Sequence, residues 1–549
     1  MRSRPPSEVA WIPMTQPQQP SLAAASRLTW WKLGLAVLSG LLVYLCFPPA
    51  DLGPLAWIAL IPLFLALTQV RAPAGLVLGL VFGFTFMGLC GSFMLNYGRF
   101  PWFATIGFET LFLGLFGFAG AACNRSPHPA VRALGVAAAW TLAEMLRGGI
   151  GALGFTLGDL GYTQHDTLPI LQAASMVGHY GLGFFIALLN AAVAQAVLAL
   201  APGIWVRPAI HPRQFAQLAA RTALGGYILI LLIYLWGALV LNSARAVTDE
   251  HMLEAAVVQG VLGDSEDATE EDARVAHETY LTLSRTIPES VDLIVWPEVA
   301  VPMALNLAPD LAEELAEFAE EKSAWLVTGA FELADGRVYN TLYLFSPEGQ
   351  QTETYRKVIL VPFGECVPMR ERFPWLARFT LRDVDFSPGE RHRLLHLGEY
   401  SAGPLICFEG LFPHAVRANT RLGADLIILA TSDAWAAGTP EIEQHSVTAP
   451  ARAVEARRYV VRAGTWGRSQ VVTPWGEVLA DVPVAQPGTA WAEVAPREEL
   501  SAYHRWGDTP LLIACVLFML AGWLGLPRVR HRDESDARGA SQARAEEEG

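Results

Sequence analysis

Apolar and polar positions alternate in two different ways along this chain. From residue 31 to 241, and again near 509–527, apolar residues run with few breaks, whereas from 242 to 505 short β-branched runs alternate with amphipathic stretches. A helix needs roughly 20 apolar residues to cross the hydrocarbon of a bilayer, with a lower bound near 17. By that measure about eight spans are predicted, near 31–47, 55–70, 74–95, 102–122, 131–147, 169–200, 222–241 and 509–527. The first two are short, and Pro48, Pro49, Pro54 and Pro62 predict a tight or partly re-entrant hairpin there. Leu33–Phe47 runs into Pro48-Pro49 and another apolar segment, the pattern expected of a retained first helix rather than a cleaved signal.

In the polar region, strands are predicted at Ala255–Gln259, Leu293–Trp296, Trp325–Gly329, Thr341–Phe345, Pro404–Cys407, Leu426–Ala430 and Tyr459–Ala463. Amphipathic helices fit near 268–286, 308–321, 412–421 and 440–456. Strand and helix in turn imply an α/β sandwich, in which reactive groups gather where the chain leaves the carboxyl end of a strand. The expected layout is an N-terminal segment 1–30, a membrane domain 31–241 with seven spans, a catalytic domain 242–505, a last transmembrane helix 506–527 and a disordered tail 528–549.

Composition agrees with two solvents acting on one chain of 549 residues: 52% is hydrophobic and only 17% charged, with residues 33–123 carrying very few charges. The net charge of −14 leaves no basic footprint for nucleic acid. With the N-terminus placed in the cytoplasm, the inside loops hold Arg2, Arg4, Arg27, Lys32, Arg71, Arg125, Arg132, Arg207, Arg213, Arg221, Arg528, Arg530 and Arg532, and the outside loops keep little beyond Arg99. Positive charge inside and an even span number put both termini in the cytoplasm and 242–505 in the periplasm of a bacterial inner membrane. Arg99, Glu144, Arg147, Asp159, Tyr162, Gln164, His165 and Asp166 cluster at the outer span ends. Such residues point either to headgroup binding or to a Glu144–Arg147 pair at i and i+3 that holds the bundle together. The six cysteines match neither a disulfide scaffold nor a zinc site.

Three positions fit a reactive strand end. Glu298 follows Leu293–Trp296 through the bend Trp296-Pro297; Lys357 ends Thr354-Tyr355-Arg356; Cys407 follows Pro404-Leu405-Ile406 and precedes Phe408-Glu409-Gly410. Each alone has an ordinary structural explanation: solvated acid, surface lysine, inert core thiol. Together they form a set, because a thiol with a pKa near 8.5 needs a base or a nearby cation to attack at neutral pH. Glutamate can take the proton, and lysine with a backbone N–H can offset the charge of a tetrahedral intermediate.

Trp296-Pro297-Glu298, Tyr355-Arg356-Lys357 and Ile406-Cys407-Phe408-Glu409, in that order, resemble the nitrilase superfamily. Eight spans with the domain inserted before the last one further resemble its membrane branch, the apolipoprotein N-acyltransferases. Supporting segments are Leu360-Val361-Pro362-Phe363-Gly364-Glu365, Val258-Gln259-Gly260, and Leu146-Arg147-Gly148 with Gly161-Tyr162-Thr163-Gln164. The resemblance implies Glu298 as general base, Lys357 as stabiliser, Cys407 as nucleophile, and Glu365 and Glu409 as accessory acids with Phe408 beside them. It also implies lipid contacts by Arg147, Tyr162, Gln164 and Trp435. The implied reaction moves an acyl chain from a phospholipid, typically phosphatidylethanolamine, through a Cys thioester to the α-amine of an S-diacylglyceryl-cysteine apolipoprotein, without a metal or soluble cofactor.

Four departures stand against the family pattern. Phe408 and Cys366 occupy positions where tyrosine is usual, Ser432–Gly438 lacks a Trp-Phe-Gly ending, and no tryptophan follows Val258-Gln259-Gly260. They bear on substrate preference, turnover and the lid over the site. Cys366 is expected to be a packed residue and not a disulfide partner of Cys407. Two rival readings are a membrane-tethered amidase with water as acceptor, and a non-catalytic membrane scaffold.

Overall fold

The structure, a computed structural model, describes residues 28–200, 211–244, 252–263, 268–379 and 384–524. The N-terminal segment through residue 27, Arg207 and the tail 528–549 lie outside the described residues.

Among the described residues, four helices are long and apolar enough to cross a membrane: Ala72–Tyr97, Arg99–Cys123, Ala174–Leu200 and Pro212–Ala244. Trp30–Tyr44 and Thr509–Leu524 are shorter apolar helices, and Gly53–Ala66 is a shorter apolar helical stretch. Pro129–Gly149 is a 21-residue helix that buries Arg132, Glu144 and Arg147. The expected second span is not one helix. It breaks into Gly53–Leu55, Ala56–Ala59 and Ile61–Ala66, because Pro62 has no N–H to continue the helix and its ring clashes with the carbonyl four residues earlier. Asn190 from Ala174–Leu200 satisfies the groups freed at the break: its Oδ1 accepts from Leu60 N at 2.9 Å and its Nδ2 donates to Ala56 O at 2.9 Å.

Helix Ala72–Cys90 meets Arg99–Cys123 at backbone distance. A Cβ on Gly75 would lie 2.3 Å from Gly117 O, and one on Gly117 would lie 2.2 Å from Gly75 O, so only glycine permits this crossing. Pro212–Ala244 buries only Phe215, Ala219, Ala223 and Gly237. It leaves Leu224, Ile228, Leu231, Leu235 and Leu239 exposed, an apolar surface suited to lipid tails.

The polar region folds into two stacked sheets flanked by helices. Its strands are β1 (Leu253–Gln259), β2 (Leu293–Val295), β3 (Val301–Ala304), β4 (Trp325–Ala334), β5 (Arg337–Phe345), β6 (Gln351–Arg356), β7 (Leu395–Leu397), β8 (Tyr400–Ile406), β9 (Leu426–Thr431), β10 (Tyr459–Gly464), β11 (Ser469–Val472), β12 (Val478–Val482) and β13 (Gly488–Val494). One sheet has the order β13-β1-β2-β4-β5-β6 with β3 on β4; the other has the order β12-β11-β10-β9-β8-β7. All seven predicted strands are present, and β3, β6, β7 and β11 to β13 are additions.

Side-chain alternation explains the layers. Leu426, Ile428 and Ala430 of β9 point between the sheets with Ala255, Val257, Leu293 and Val295. Ile427 and Leu429 point the other way, into a core with Ala415, Val416, Ala449 and Ala453 from the covering helices. On the outer face of the first sheet, Ala256, Val258 and Ile294 pack on Leu281, Leu311 and Leu315 from the helices Glu270–Ser284 and Pro309–Lys322.

Helix Thr448–Ala456 belongs to both halves of the molecule. Ala449, Ala453 and Ala456 enter the core beneath the second sheet, while Ala451 and Val454 enter the core of the membrane half.

Candidate active site

Parallel pairing sets the site. β2 runs parallel to β1 and β4, and β8 runs parallel to β9, so their carboxyl ends open on one side. Glu298 lies three residues beyond β2, and Cys407 directly follows β8. Lys357 directly follows β6. Gly329 of β4 lets the Glu298 loop approach: a Cβ there would lie 2.4 Å from Val299 N and 2.7 Å from Glu298 Cα.

Glu298, Lys357 and Glu365 meet as one buried network. Lys357 Nζ donates to Glu298 Oε1 at 3.0 Å and to Glu365 Oε1 at 2.9 Å. Asn340 Nδ2 donates to the same two oxygens, at 2.7 and 3.1 Å. Backbone donors complete the acids: Ser432 N on Glu298 Oε2 at 2.7 Å, and Val361 N on Glu365 Oε2 at 2.8 Å. Burial alone would lower the Lys357 pKa, but the adjacent Glu298 and Glu365 carboxylates hold it well above its ordinary value. The ammonium has three N–H bonds and these carboxylates engage two.

Cys407 begins the turn Cys407–Leu411 with φ 48°, a left-handed conformation that bulky residues avoid. Burial, and next the charge of Glu298, push its thiol well above the usual range, while Lys357 pulls it down. The resting sulfur is therefore a neutral thiol within the electrostatic reach of both groups. Cys366 is a free thiol like the other described cysteines, half-buried, and pushed up to about 11 by burial foremost.

Glu409 ties the cysteine strand to the lysine segment. Its Oε2 accepts from Ile406 N at 2.8 Å, and its Oε1 accepts from Val358 N at 2.8 Å and Ile359 N at 3.1 Å. Tyr355 Oη lies 3.0 Å from both carboxylate oxygens. Burial raises the Glu409 pKa to about 7 against the lowering effect of the backbone donors. Phe408 turns away into the apolar cluster, edge-to-face on Phe412 with centroids 4.9 Å apart.

Asn340 escaped the sequence reading. It shares a face of β5 with Leu342 and Leu344, so a polar residue in register with an apolar stripe was the available signal. Tyr355 stood inside a recognised motif, but its partner is remote in sequence.

The membrane-half candidates lie elsewhere and have protein partners. Arg147 pairs with Asp159 Oδ1 and, at 3.4 Å, with Glu109 Oε2. The expected Glu144–Arg147 pair is replaced: Glu144 Oε1 accepts from Leu160 N at 2.9 Å, because the segment after residue 150 folds back and brings Asp159 to the arginine. Tyr162 is buried, stacks on His179 at 4.7 Å and accepts from Arg452 Nη2 at 2.9 Å. Gln164 is buried, donating to Gly53 O at 3.0 Å and accepting from Trp57 Nε1 at 3.2 Å. Half-buried Trp435 meets Phe93 edge-to-face, with centroids 5.3 Å apart.

Two family models match the two halves: the apolipoprotein N-acyltransferase N-terminal domain over residues 39–192 and carbon-nitrogen hydrolase over residues 254–503. An apolipoprotein N-acyltransferase of Geobacter metallireducens is 32% identical, over 88% of this chain and 92% of that protein. One of Azotobacter vinelandii is 31% identical, over 91% and 95%. A crystal structure of an amidase from Nesterenkonia sp. is 20% identical with a TM-score of 0.36, over 47% of this chain and 94% of that one. Relatives of this identity matched along nearly their whole length settle the kinship: the chain belongs to the apolipoprotein N-acyltransferase family.

Proposed function

We propose that the protein transfers an acyl chain from a phospholipid of the phosphatidylethanolamine class to the α-amine of an S-diacylglyceryl-cysteine apolipoprotein, on the periplasmic side of a bacterial inner membrane. The observation that carries this reading is the buried Glu298–Lys357–Glu365 network beside the strained Cys407 turn, in a family whose members bear that name.

In the first half-reaction, Cys407 Sγ attacks the ester carbonyl as its proton passes to Glu298. Charge grows on the carbonyl oxygen, where the third N–H of Lys357 and the backbone N–H of Phe408 donate. The intermediate collapses to a thioester, and the departing lysophospholipid oxygen takes the proton from Glu298. In the second half-reaction the neutral amine attacks the thioester and Glu298 takes its proton. Sulfur leaves and regains that proton, and an amide remains. No redox step or added co-reactant is involved.

Phe408 and Trp435, in one apolar cluster with Phe93, Leu157 and Phe155 from the membrane half, offer the acyl chain a wall beside the sulfur. Both substrates are lipids, whose removal from the bilayer costs roughly 0.8 kcal/mol per CH₂, which supports a site fastened to the membrane half. The several apolar helices of the membrane half support a lipid substrate in the same way, since a tether needs only one span.

Protein in vesicles given a phospholipid with a labelled acyl chain should carry that chain on Cys407. A diacylglyceryl-cysteine peptide should then remove it faster than water does. Label that water discharges as fast as the peptide would identify an amidase, and the absence of any adduct on Cys407 would refute the mechanism.

A further inference from the structure

The turn that carries the nucleophile is not held by the catalytic half alone. Its last carbonyl, Leu411 O, receives the hydroxyl of Thr156 at 2.9 Å, and both atoms are buried. Thr156 belongs to the segment that joins helices Pro129–Gly149 and Ala174–Leu200, in the membrane half. Tyr162 Oη lies 3.3 Å from Thr156 Oγ1 and 3.4 Å from Leu411 O. A hydroxyl has one proton to give. The arrangement that satisfies every group is a single directed chain: Arg452 Nη2 donates to Tyr162 Oη at 2.9 Å, Tyr162 donates to Thr156, and Thr156 donates to Leu411 O. Donors aligned this way polarise one another.

The other end of the chain is anchored as well. Arg452 pairs with Glu455 at 3.1 Å, and Glu455 Oε1 accepts from His179 N at 2.7 Å. Thr156 O is held by Asp159 N at 3.0 Å and by Arg147 Nη2 at 3.5 Å, so the threonine cannot drift toward a second acceptor without breaking its own turn. The carbonyls at the end of a short helical turn lack intrahelical partners. Here that missing partner comes from across the boundary between the halves.

We propose that Thr156 and Tyr162 are positioning residues for Cys407, fixing the turn Cys407–Leu411 against the membrane half so that the sulfur keeps its height relative to the bilayer. This rests on Cys407 being the nucleophile. Neither side chain touches the reacting atoms. They act through Leu411, at the opposite end of the turn from Cys407, where Glu409 clamps the nearer end through Ile406 N.

The test uses full-length protein in phosphatidylethanolamine vesicles and compares Thr156→Val, which keeps shape and loses the hydroxyl, with Thr156→Ser, which restores it, and with Tyr162→Phe. Three readouts are taken: single-turnover acylation of Cys407 by labelled phospholipid, KM for that phospholipid, and the pH profile of Cys407 alkylation by iodoacetamide. Losing one such bond at a positioning site should slow acylation about tenfold in Thr156→Val, with KM within about twofold and a displaced alkylation profile. Thr156→Ser should recover the wild-type rate, and Tyr162→Phe should fall between. Should Thr156→Val prove unstable, Tyr162→Phe and the serine rescue still decide. Wild-type acylation and an unmoved alkylation profile in both Thr156→Val and Tyr162→Phe would overturn the proposal. A wild-type protein that never acylates on Cys407 would instead defeat the reading on which it rests.

Discussion

Two of the buried ion networks among the described residues differ in one respect that separates chemistry from architecture. In the membrane half, Arg147 is gripped by Asp159 and Glu109. His179 sits between Asp159 and Glu455, 3.1 Å from each, and Arg452 closes the circuit on Glu455. In the catalytic half, Lys357 is gripped by two acids, within electrostatic reach of a thiol that carries no charge at rest. Burial makes both networks expensive to break. Of the two, the second joins an acid and a cation to a cysteine held at a strand end in a left-handed turn, so charge burial by itself does not mark a catalytic site; what the charges act on does.

The largest test of that contrast is Cys407→Ala, which should remove the acyl adduct entirely while thermal unfolding stays close to wild type, since a small thiol packs little. An adduct that persists in the alanine variant would dissolve the distinction. Glu298→Gln comes next. It keeps shape and loses the base, and single-turnover acylation should fall by about 10²–10⁴; acylation at the normal rate would remove Glu298 from the role of base.

Arg147→Met should act through stability instead. Leaving Glu109 and Asp159 buried without their cation should cost about 3–5 kcal/mol, read as a lowered midpoint of unfolding in detergent. A midpoint unchanged by this substitution would mean that the membrane network holds little together.

The Glu409 clamp gives a pH signature. Because its carboxyl titrates at about 7 instead of the usual 4.5, the native state binds that proton more tightly than the unfolded chain. Its contribution to stability is therefore full below 4.5 and declines as the pH rises toward 7. Activity should run the other way, with acylation falling as the pH drops through about 7 and the clamp loses its charge. Glu409→Gln should flatten that limb; an unaltered pH–rate profile would detach the clamp from catalysis. The smallest effect is expected of Tyr355→Phe, which leaves Glu409 its three backbone donors and should cost about 1 kcal/mol, a several-fold loss in acylation.

Much of the catalytic half was legible because its information is local. Leu426–Ala430 and Tyr459–Ala463 announce themselves by β-branched, apolar runs, and the Glu, Lys and Cys segments each sit at a strand end. Short strands such as β3, β7 and β11 carry too few residues for their periodicity to show. Asn340 and the partners of Arg147 were hidden for another reason: their contacts join residues separated by 12 to 42 positions. Pattern along the chain cannot report pairings that exist only after folding. The broken second helix was half legible, since the prolines signal a break but nothing near them names Asn190, 130 residues away, as the group that repairs it.

Helix Thr448–Ala456 has a consequence for any attempt to free the enzyme from its lipid setting. Sever the water-soluble half, and Ala451 and Val454 lose their oily neighbours while Arg452 and Glu455 lose Tyr162 and His179 in the same stroke. Such a fragment would present a bare seam of mixed grease and charge, sticky toward its own kind and deprived of the register that seats its sulfur.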